Sequence, residues 1–339
     1  MFLPLFEQAH LRPYATCIGQ QSFRTCAIDA WARDVGVADG TAAFQQNLLM
    51  LKTSLLDVLI NAICNPLRRV FITFLLRRSR HIYPKMTADV SRLTKATVLK
   101  RGVPWQLRLE AEATRYAAKH TSIPIPATYD FWTGYDGLGY LVMEYKEGEV
   151  LQRKWRFLSD EQKWHVLHVV KGYIAQLRAI QQPSPSGWIG SVFRKAFFDF
   201  GISGARTYGP FRDECEYNDW RISTFSECGV KHPITAKRLK ELRAEMPDDH
   251  RITFTHGDIT RYNLLVRVDG PGKDDIVVTA LLDWEQAGWR PEFWETHKFV
   301  NGAGSRDWAQ LGRSEVVPGY DAELAREHEL IHISGPQIY

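Results

Sequence analysis

Two carboxylates and one amide have a spacing in this sequence that is typical of a catalytic site. Asp258 and Asn263 lie five positions apart in the segment THGDITRYNLLV, and Asp283 ends the apolar segment that follows. One carboxylate can orient or deprotonate an attacking hydroxyl, while the other two groups hold Mg²⁺ against phosphates. Mg²⁺ prefers hard oxygen ligands, which Asn263 and Asp283 supply. A single loop aspartate is more typical of a turn, so the joint spacing carries the prediction of phosphoryl transfer.

Short apolar segments must position these groups. The predicted strands cover residues 252–256, 263–268 and 276–283. A turn at Asp269-Gly-Pro-Gly272 separates the last two, as is typical of a hairpin. A helix is predicted over 291–300, because proline is favoured in the first turn of a helix. Asp258 then lies in a loop between two strands.

An earlier region combines short strands with one helix. Its predicted strands cover residues 90–93, 97–100, 127–132 and 139–145. Between the second and third strands, residues 105–120 have helical spacing, and the prolines of 121–126 end that helix. This region predicts a small antiparallel sheet with a single helix.

Longer helices are predicted elsewhere. Ser159 and Gln162 match a capping box ahead of an apolar run, and further helices are predicted at 214–226 and 235–245. Regular strand–helix alternation is missing, which disfavours a doubly wound sheet. The predicted class is α+β with two lobes. Its three parts are an N-terminal helical extension (1–84), a small antiparallel-sheet lobe (85–146) and a larger, mainly helical lobe (147–339).

Composition and charge exclude several classes of protein. The 339 residues are 45% hydrophobic and 24% charged, which excludes a disordered or fibrous chain. The net charge of +4 predicts no nucleic-acid partner, because such proteins carry a concentrated basic face. Five scattered cysteines without a CxxC pair predict neither a zinc site nor a disulfide framework, and they indicate a reducing, cytoplasmic location. The sequence does not indicate an oligomeric state.

The N-terminal region has its own apolar pattern. Leu48, Leu51, Leu55, Leu59 and Ile63 follow helical spacing. Charges and an Asn-Pro pair interrupt the apolar stretch, so no piece is long enough to span a bilayer. We expect residues 44–76 to pack as helices against the small lobe. Contact of the basic segment 44–80 with a membrane surface is a less favoured alternative.

The segments HGDITRYNLLV and LLDWEQAGWRPEFWE resemble the aminoglycoside phosphotransferase/choline kinase-like family of the protein-kinase-like superfamily, in its fungal branch. TVLKRG, LEAEATRYAAKH and LVMEYKEGEVL extend the resemblance upstream, so that it covers residues 90–300. The resemblance implies a protein-kinase-like two-lobe fold. It also implies ATP-dependent phosphorylation of a hydroxyl on a small-molecule substrate, with Mg²⁺ as the cofactor.

The resemblance also implies roles for individual residues. Asp258 is then the catalytic base or hydroxyl orienter, and Asn263 and Asp283 are the metal ligands. Lys100 is expected to contact the nucleotide phosphates and to pair with Glu110, with Glu112 as the alternative partner. His256 is expected to brace the catalytic loop. The adenine pocket is expected along residues 143–147, which include Met143, Glu144 and Tyr145. Glu285 is expected to cap the helix that follows and to take no part in the chemistry.

One departure from the family pattern concerns the phosphates. Members usually carry a glycine-containing loop before the lysine strand, and residues 80–99 contain no glycine. The lid over the phosphates is therefore expected to be replaced or absent. This motivates a second hypothesis, a pseudokinase or nucleotide-binding interaction module without turnover. A protein kinase is disfavoured, because HGD and DWE stand where HRD and DFG would be.

Overall fold

The computed structural model describes residues 66–200, 207–227, 233–302 and 306–334. Helix α1 covers residues 66–79. It is followed by strands β1 (Val90–Arg92) and β2 (Thr97–Gly102), helix α2 (Pro104–His120), and strands β3 (Thr128–Thr133) and β4 (Gly139–Glu144). The four strands form one antiparallel sheet in the order β1-β2-β4-β3. This sheet with α2 is the small lobe predicted from the sequence.

Helix α2 covers one face of the sheet. Leu107 and Ala111 of the helix pack against Val98 and Leu141, which lie on neighbouring strands. Side chains alternate along a strand, so Lys100 faces the helix with Val98. Side chains of α2 can therefore contact Lys100.

Helix α1 covers the opposite face. Its Ile72 is buried in a cluster with Leu93, Leu99 and Trp132 of the sheet, and its Arg68 pairs with Asp130 at 3.0 Å. The prediction that residues up to 76 pack on the small lobe is therefore confirmed for this helix. The stripe from Leu48 to Ile63 lies outside the described residues.

The larger lobe contains the remaining elements. In chain order these are β5 (Glu149–Val150), α3 (Leu151–Lys154), a 3₁₀ turn (Trp155–Phe157), α4 (Asp160–Ala179), β6 (Phe197–Phe198), β7 (Thr207–Tyr208), α5 (Glu214–Glu227), α6 (Pro233–Glu245), β8 (Ile252–Thr255), β9 (Leu264–Val268), a 3₁₀ turn (Lys273–Asp275), β10 (Ile276–Leu281), β11 (Gly288–Pro291), α7 (Trp294–Asn301), α8 (Arg306–Glu315) and α9 (Asp321–Ser334). β9 pairs with both β5 and β10, and β8 pairs with β11. None of the helices in the described ranges is long and apolar enough to cross a bilayer.

The core of this lobe is built around α4. The predicted capping box is present, because Ser159 and Gln162 exchange hydrogen bonds at the start of the helix. Buried aliphatic residues of α4 pack in one cluster with Trp284 and Trp289, which belong to the strand-rich segment. Trp294 is also buried. These tryptophans are part of the core.

The predicted helix over 291–300 begins later than expected. Pro291 ends strand β11 and lies opposite Ile252 of β8, and helix α7 begins at Trp294. Proline is tolerated at a strand end because the missing N–H then leaves no ladder bond unmade. The proline therefore terminates a strand that the sequence did not predict.

Candidate active site

Lys100 lies at the centre of a buried charge cluster. Its Nζ is 2.8 Å from Glu110 Oε2 and 2.8 Å from Asp283 Oδ1. Burial alone would lower the pKa of Lys100, but the charges of Glu110 and Asp283 raise it above the ordinary value. The lysine therefore stays protonated and joins the small lobe to the larger one.

The structure distinguishes the two glutamates of α2. Glu110 is buried and contacts Lys100, whereas the carboxylate of Glu112 points elsewhere and pairs with Lys195 at 3.3 Å. Positions two apart on a helix lie on different faces, so only one of them can meet the lysine. Burial raises the pKa of Glu110, and the charge of Lys100 opposes that shift.

The loop that carries Asp258 begins at two buried residues. Gly257 has a positive φ of 75°, a conformation that glycine adopts without steric cost. The ring of His256 accepts a hydrogen bond from the Asp258 N–H at Nδ1 (3.1 Å), and Nε2 lies 3.0 Å from the Leu282 carbonyl. Burial lowers the pKa of His256 to about 4, so the neutral ring donates from Nε2. His256 thereby joins the loop to the end of β10.

Asp258 and Asn263 contact each other directly. The Asn263 side-chain nitrogen donates to Asp258 Oδ2 at 2.7 Å and to the Asp258 carbonyl at 2.9 Å. Burial raises the pKa of Asp258 to about 7, while the nearby Lys298 charge acts to lower it. Lys298 is itself held by Asp199 at 2.8 Å. Asp258 is therefore a carboxylate that can exchange a proton near neutral pH.

Asp283 reaches the same region from the opposite side. It follows β10 in a left-handed conformation, with φ of 64°, which aspartate adopts more readily than most residues. Its carboxylate is one-third exposed. Asn263 and Asp283 line one cavity, and their side-chain oxygens are hard ligands suited to a divalent cation.

A cavity of about 310 Å³ lies between the lobes beside these groups. The polar residues at its wall include Lys100, Glu110, Asn263 and Asp283. Apolar side chains form much of the rest, and the strand-end residues Met143, Glu144 and Tyr145 border it together with Lys146. Such a cavity, apolar with a few converging charges, is typical of a small-molecule or cofactor site.

Part of the wall of this cavity is formed by the segment that precedes β1. Met86, Thr87 and Asp89 line it, and they belong to the connection between α1 and β1. The Val90 N–H donates to Thr87 Oγ1 at 2.9 Å, and the Arg101 N–H donates to the Asp89 carbonyl at 2.9 Å. A short segment that is hydrogen-bonded to the sheet, and that contains no glycine, therefore forms this part of the wall.

Comparison with known proteins identifies the family of this chain. A model of a phosphotransferase enzyme family matches residues 88–329. The chain belongs to that family. No curated protein sequence matches this phosphotransferase significantly.

Solved structures share its fold. The GDP and kanamycin complex of APH(2")-IIia has a TM-score of 0.52 at 12% identity, covering 76% of this chain and 86% of that one. A thermostable mutant of aminoglycoside phosphotransferase APH(4)-Ia, in a ternary complex with AMP-PNP and hygromycin B, has a TM-score of 0.49 at 15% identity, covering 78% and 97%. The first of these similarities shows that this phosphotransferase shares the two-lobe α+β fold of that structure.

Sequence reasoning missed two carboxylates of the phosphotransferase. Glu285, expected to cap a helix, instead lies 4.0 Å from Lys100, and a carboxylate oxygen of Glu285 is within 4.8 Å of those of Glu110 and Asp283. The left-handed turn at Asp283 redirects the chain and brings this side chain back to the cluster. Burial and the Asp283 charge raise the pKa of Glu285.

The second is Glu295 on α7. Its carboxylate accepts the backbone N–H of His256 at 2.6 Å and that of Gly257 at 3.2 Å. It is fully buried, and burial raises its pKa. The sequence gives little indication of this role for Glu295. Buried backbone N–H groups in the HGD segment would each need an acceptor, but nothing in the pattern says which residue supplies it.

Proposed function

We propose that this phosphotransferase transfers the γ-phosphoryl group of ATP to a hydroxyl of a small molecule. The observation that supports this most directly is the convergence of Lys100, Asp283 and Asn263 on one cavity, with Asp258 hydrogen-bonded to Asn263. Fixed charges at a phosphate site lower the barrier mainly by positioning and charge neutralisation.

In this proposal each residue has one task. The acceptor hydroxyl oxygen attacks the γ-phosphorus, the bond to the bridging oxygen breaks, and ADP leaves. Asp258 orients the hydroxyl and takes its proton. Lys100, held by Glu110, binds phosphate oxygens. The side-chain oxygens of Asn263 and Asp283 would hold Mg²⁺, which neutralises phosphate charge when it is bound.

The nucleotide base is assigned to the apolar part of the cavity. Met143 and Tyr145 border that part, and Glu144 turns its carboxylate to Lys146 at 2.9 Å and to the Ala127 N–H at 3.1 Å. Glu144 therefore contributes its backbone to the cavity wall. The placement of the chain in the fungal branch of the family and its cytoplasmic location rest on the sequence alone.

The experiment is a nucleotide assay with two stages. Binding of ATP and GTP is first measured by calorimetry with and without Mg²⁺, and release of ADP or GDP is then measured across hydroxylated and amine-bearing small molecules. We expect Mg²⁺-dependent ATP binding and turnover with at least one hydroxylated acceptor. Failure to bind any nucleotide would overturn the proposal.

The alternative is a nucleotide-binding module without turnover. The observation that favours it is the lining of the cavity by Met86 and Thr87 in place of a glycine-containing loop. Backbone N–H groups of such loops hold phosphates in active enzymes. Mg²⁺-dependent ATP binding that disappears in Asp283→Ala, with no turnover on the whole panel, would support this alternative.

A further inference from the structure

A second cavity, which we call the basic cavity, lies where α1 ends and the chain returns to the edge strand β1. Its volume is about 510 Å³. Four cationic side chains line it, and they are those of Arg80, Lys85, Arg92 and Arg101. Among the residues that the structure describes, no carboxylate lines it. A concentration of one charge in a concave site attracts ligands of the opposite charge.

Arg101 lines the basic cavity from strand β2. It follows Lys100 on β2, so its side chain lies on the outer face, toward α1. Its Nε is buried and has no hydrogen-bond partner within the described ranges. A buried donor without an acceptor costs free energy. Because no carboxylate of the described residues forms an ion pair with Arg101, its guanidinium charge is available to an anion in the basic cavity.

Arg92 has a different role, because two of its three guanidinium nitrogens already donate to backbone carbonyls. Its Nε and Nη2 donate to the carbonyls of Thr94 and Lys95 at 3.1 and 3.0 Å. Its guanidinium stacks between the rings of Tyr83 and Tyr145 at 4.5 and 3.6 Å. Arg92 is thus a fixed wall of the basic cavity, and three cations remain to bind a ligand.

Those three are Arg80, Lys85 and Arg101. None of them forms an ion pair with a carboxylate in the part of the chain described by the structure. A smaller cavity of about 250 Å³ also borders Arg101, but it includes Asp136, whose carboxylate competes for cations. The basic cavity is therefore the better site for an anion.

We propose that the basic cavity binds a multivalent phosphate anion, either free in solution or as the headgroup of a phosphorylated lipid. A guanidinium fork and an ammonium match phosphate oxygens with short, charge-assisted hydrogen bonds. The site is distinct from the nucleotide cavity, although Met86, Thr87 and Val90 border both. The proposal does not depend on the transfer reaction.

The test uses the full-length protein and inorganic pyrophosphate, titrated by calorimetry in metal-free buffer. Arg101→Gln and Lys85→Gln should each weaken pyrophosphate binding by about tenfold or more, because each removes a charge-assisted contact. Arg77→Gln is the matched control, since this exposed arginine of α1 lies outside the cavity wall. Lys100→Gln removes any pyrophosphate binding that belongs to the nucleotide cavity, and the binding that depends on Arg101 and Lys85 should persist in this variant.

A second arm separates the two sources of phosphate. Flotation is measured with vesicles of phosphatidylcholine and phosphatidylinositol bisphosphate, and with vesicles of phosphatidylcholine alone. Binding to the first vesicles only, lost in Arg101→Gln and Lys85→Gln, would identify a lipid headgroup as the ligand. Loss of pyrophosphate affinity in Lys100→Gln, with no change in Arg101→Gln or Lys85→Gln, would overturn the proposal. So would the absence of binding to both pyrophosphate and the phosphoinositide vesicles. Lys85→Gln changes an exposed side chain, so a folding defect cannot account for its result.

Discussion

The side-chain amide of Asn263 donates a 2.7 Å hydrogen bond to the carboxylate of Asp258. One end of the amide is thereby fixed on the proposed base, and its oxygen is left for a cation. A single loop thus couples the group that handles the proton to the group that holds the metal. Because the two side chains support each other, proton transfer and metal binding can be tested separately only with substitutions that keep the size of the side chain.

Asp258→Asn should abolish transfer and leave nucleotide affinity near that of the wild type. The side chain keeps its size but can no longer accept a proton, and such groups typically contribute about 10²–10⁴-fold to the rate. Single-turnover kinetics with ATP would measure the loss, and calorimetry would measure binding. Asp269→Asn, which alters an exposed carboxylate paired with Arg267, should have no effect. A kcat within about tenfold of the wild type would remove Asp258 from the mechanism.

Asp283→Ala should lower ATP affinity in the presence of Mg²⁺ far more than in its absence. The carboxylate is proposed to reach the phosphates through the metal, so its loss matters only when the metal is there. Calorimetric titrations with Mg²⁺ and with EDTA give the comparison. An equal loss in both buffers would assign Asp283 to the support of Lys100, which it contacts at 2.8 Å.

Glu110→Gln and Glu112→Gln form a matched pair on one helix. Only Glu110 contacts Lys100, so its neutralisation should lower kcat/KM by about 10- to 100-fold, the loss expected for a charge-assisted contact. Glu112→Gln should retain wild-type kinetics. A larger effect at position 112 would contradict the assignment of the lysine partner.

The pH dependence of activity should reflect Asp258. Burial raises its pKa to about 7, and a base must be deprotonated to act, so kcat/KM should rise as the pH increases through about 7. Glu112→Gln, which changes a residue outside the nucleotide cavity, should leave this profile in place. A rate that is flat between about pH 6 and pH 8 would contradict it.

The same carboxylate should also set a pH dependence of stability. Its folded-state pKa lies above the ordinary value of 3.8, so the stability it contributes is present below about pH 4 and is lost as the pH rises through about 7. Asp258→Asn removes this loss, and its advantage in unfolding free energy over the wild type should grow across that range. Urea unfolding at several pH values would measure it, and a constant difference would count against a raised pKa.

The sequence predicted the small lobe, the capping box at Ser159 and the hairpin of β9 and β10, because short-range patterns determine them. It did not predict β11, whose pairing partner β8 lies more than thirty positions upstream. It could not place Glu285, because the left-handed turn at Asp283 that redirects it depends on packing in the finished lobe. The choice between Glu110 and Glu112 likewise required the orientation of α2 on the sheet.

The ion pair between Lys100 and Asp283 joins residues 183 positions apart in the chain. During synthesis at roughly 5–20 residues per second, Lys100 is therefore made roughly 10 to 40 seconds before the carboxylate that completes the site. Throughout that interval a nascent chain carries the lysine with only Glu110 to neutralise it. A ribosome stalled ahead of position 283 would thus hold a chain with a finished small lobe and no phosphate site.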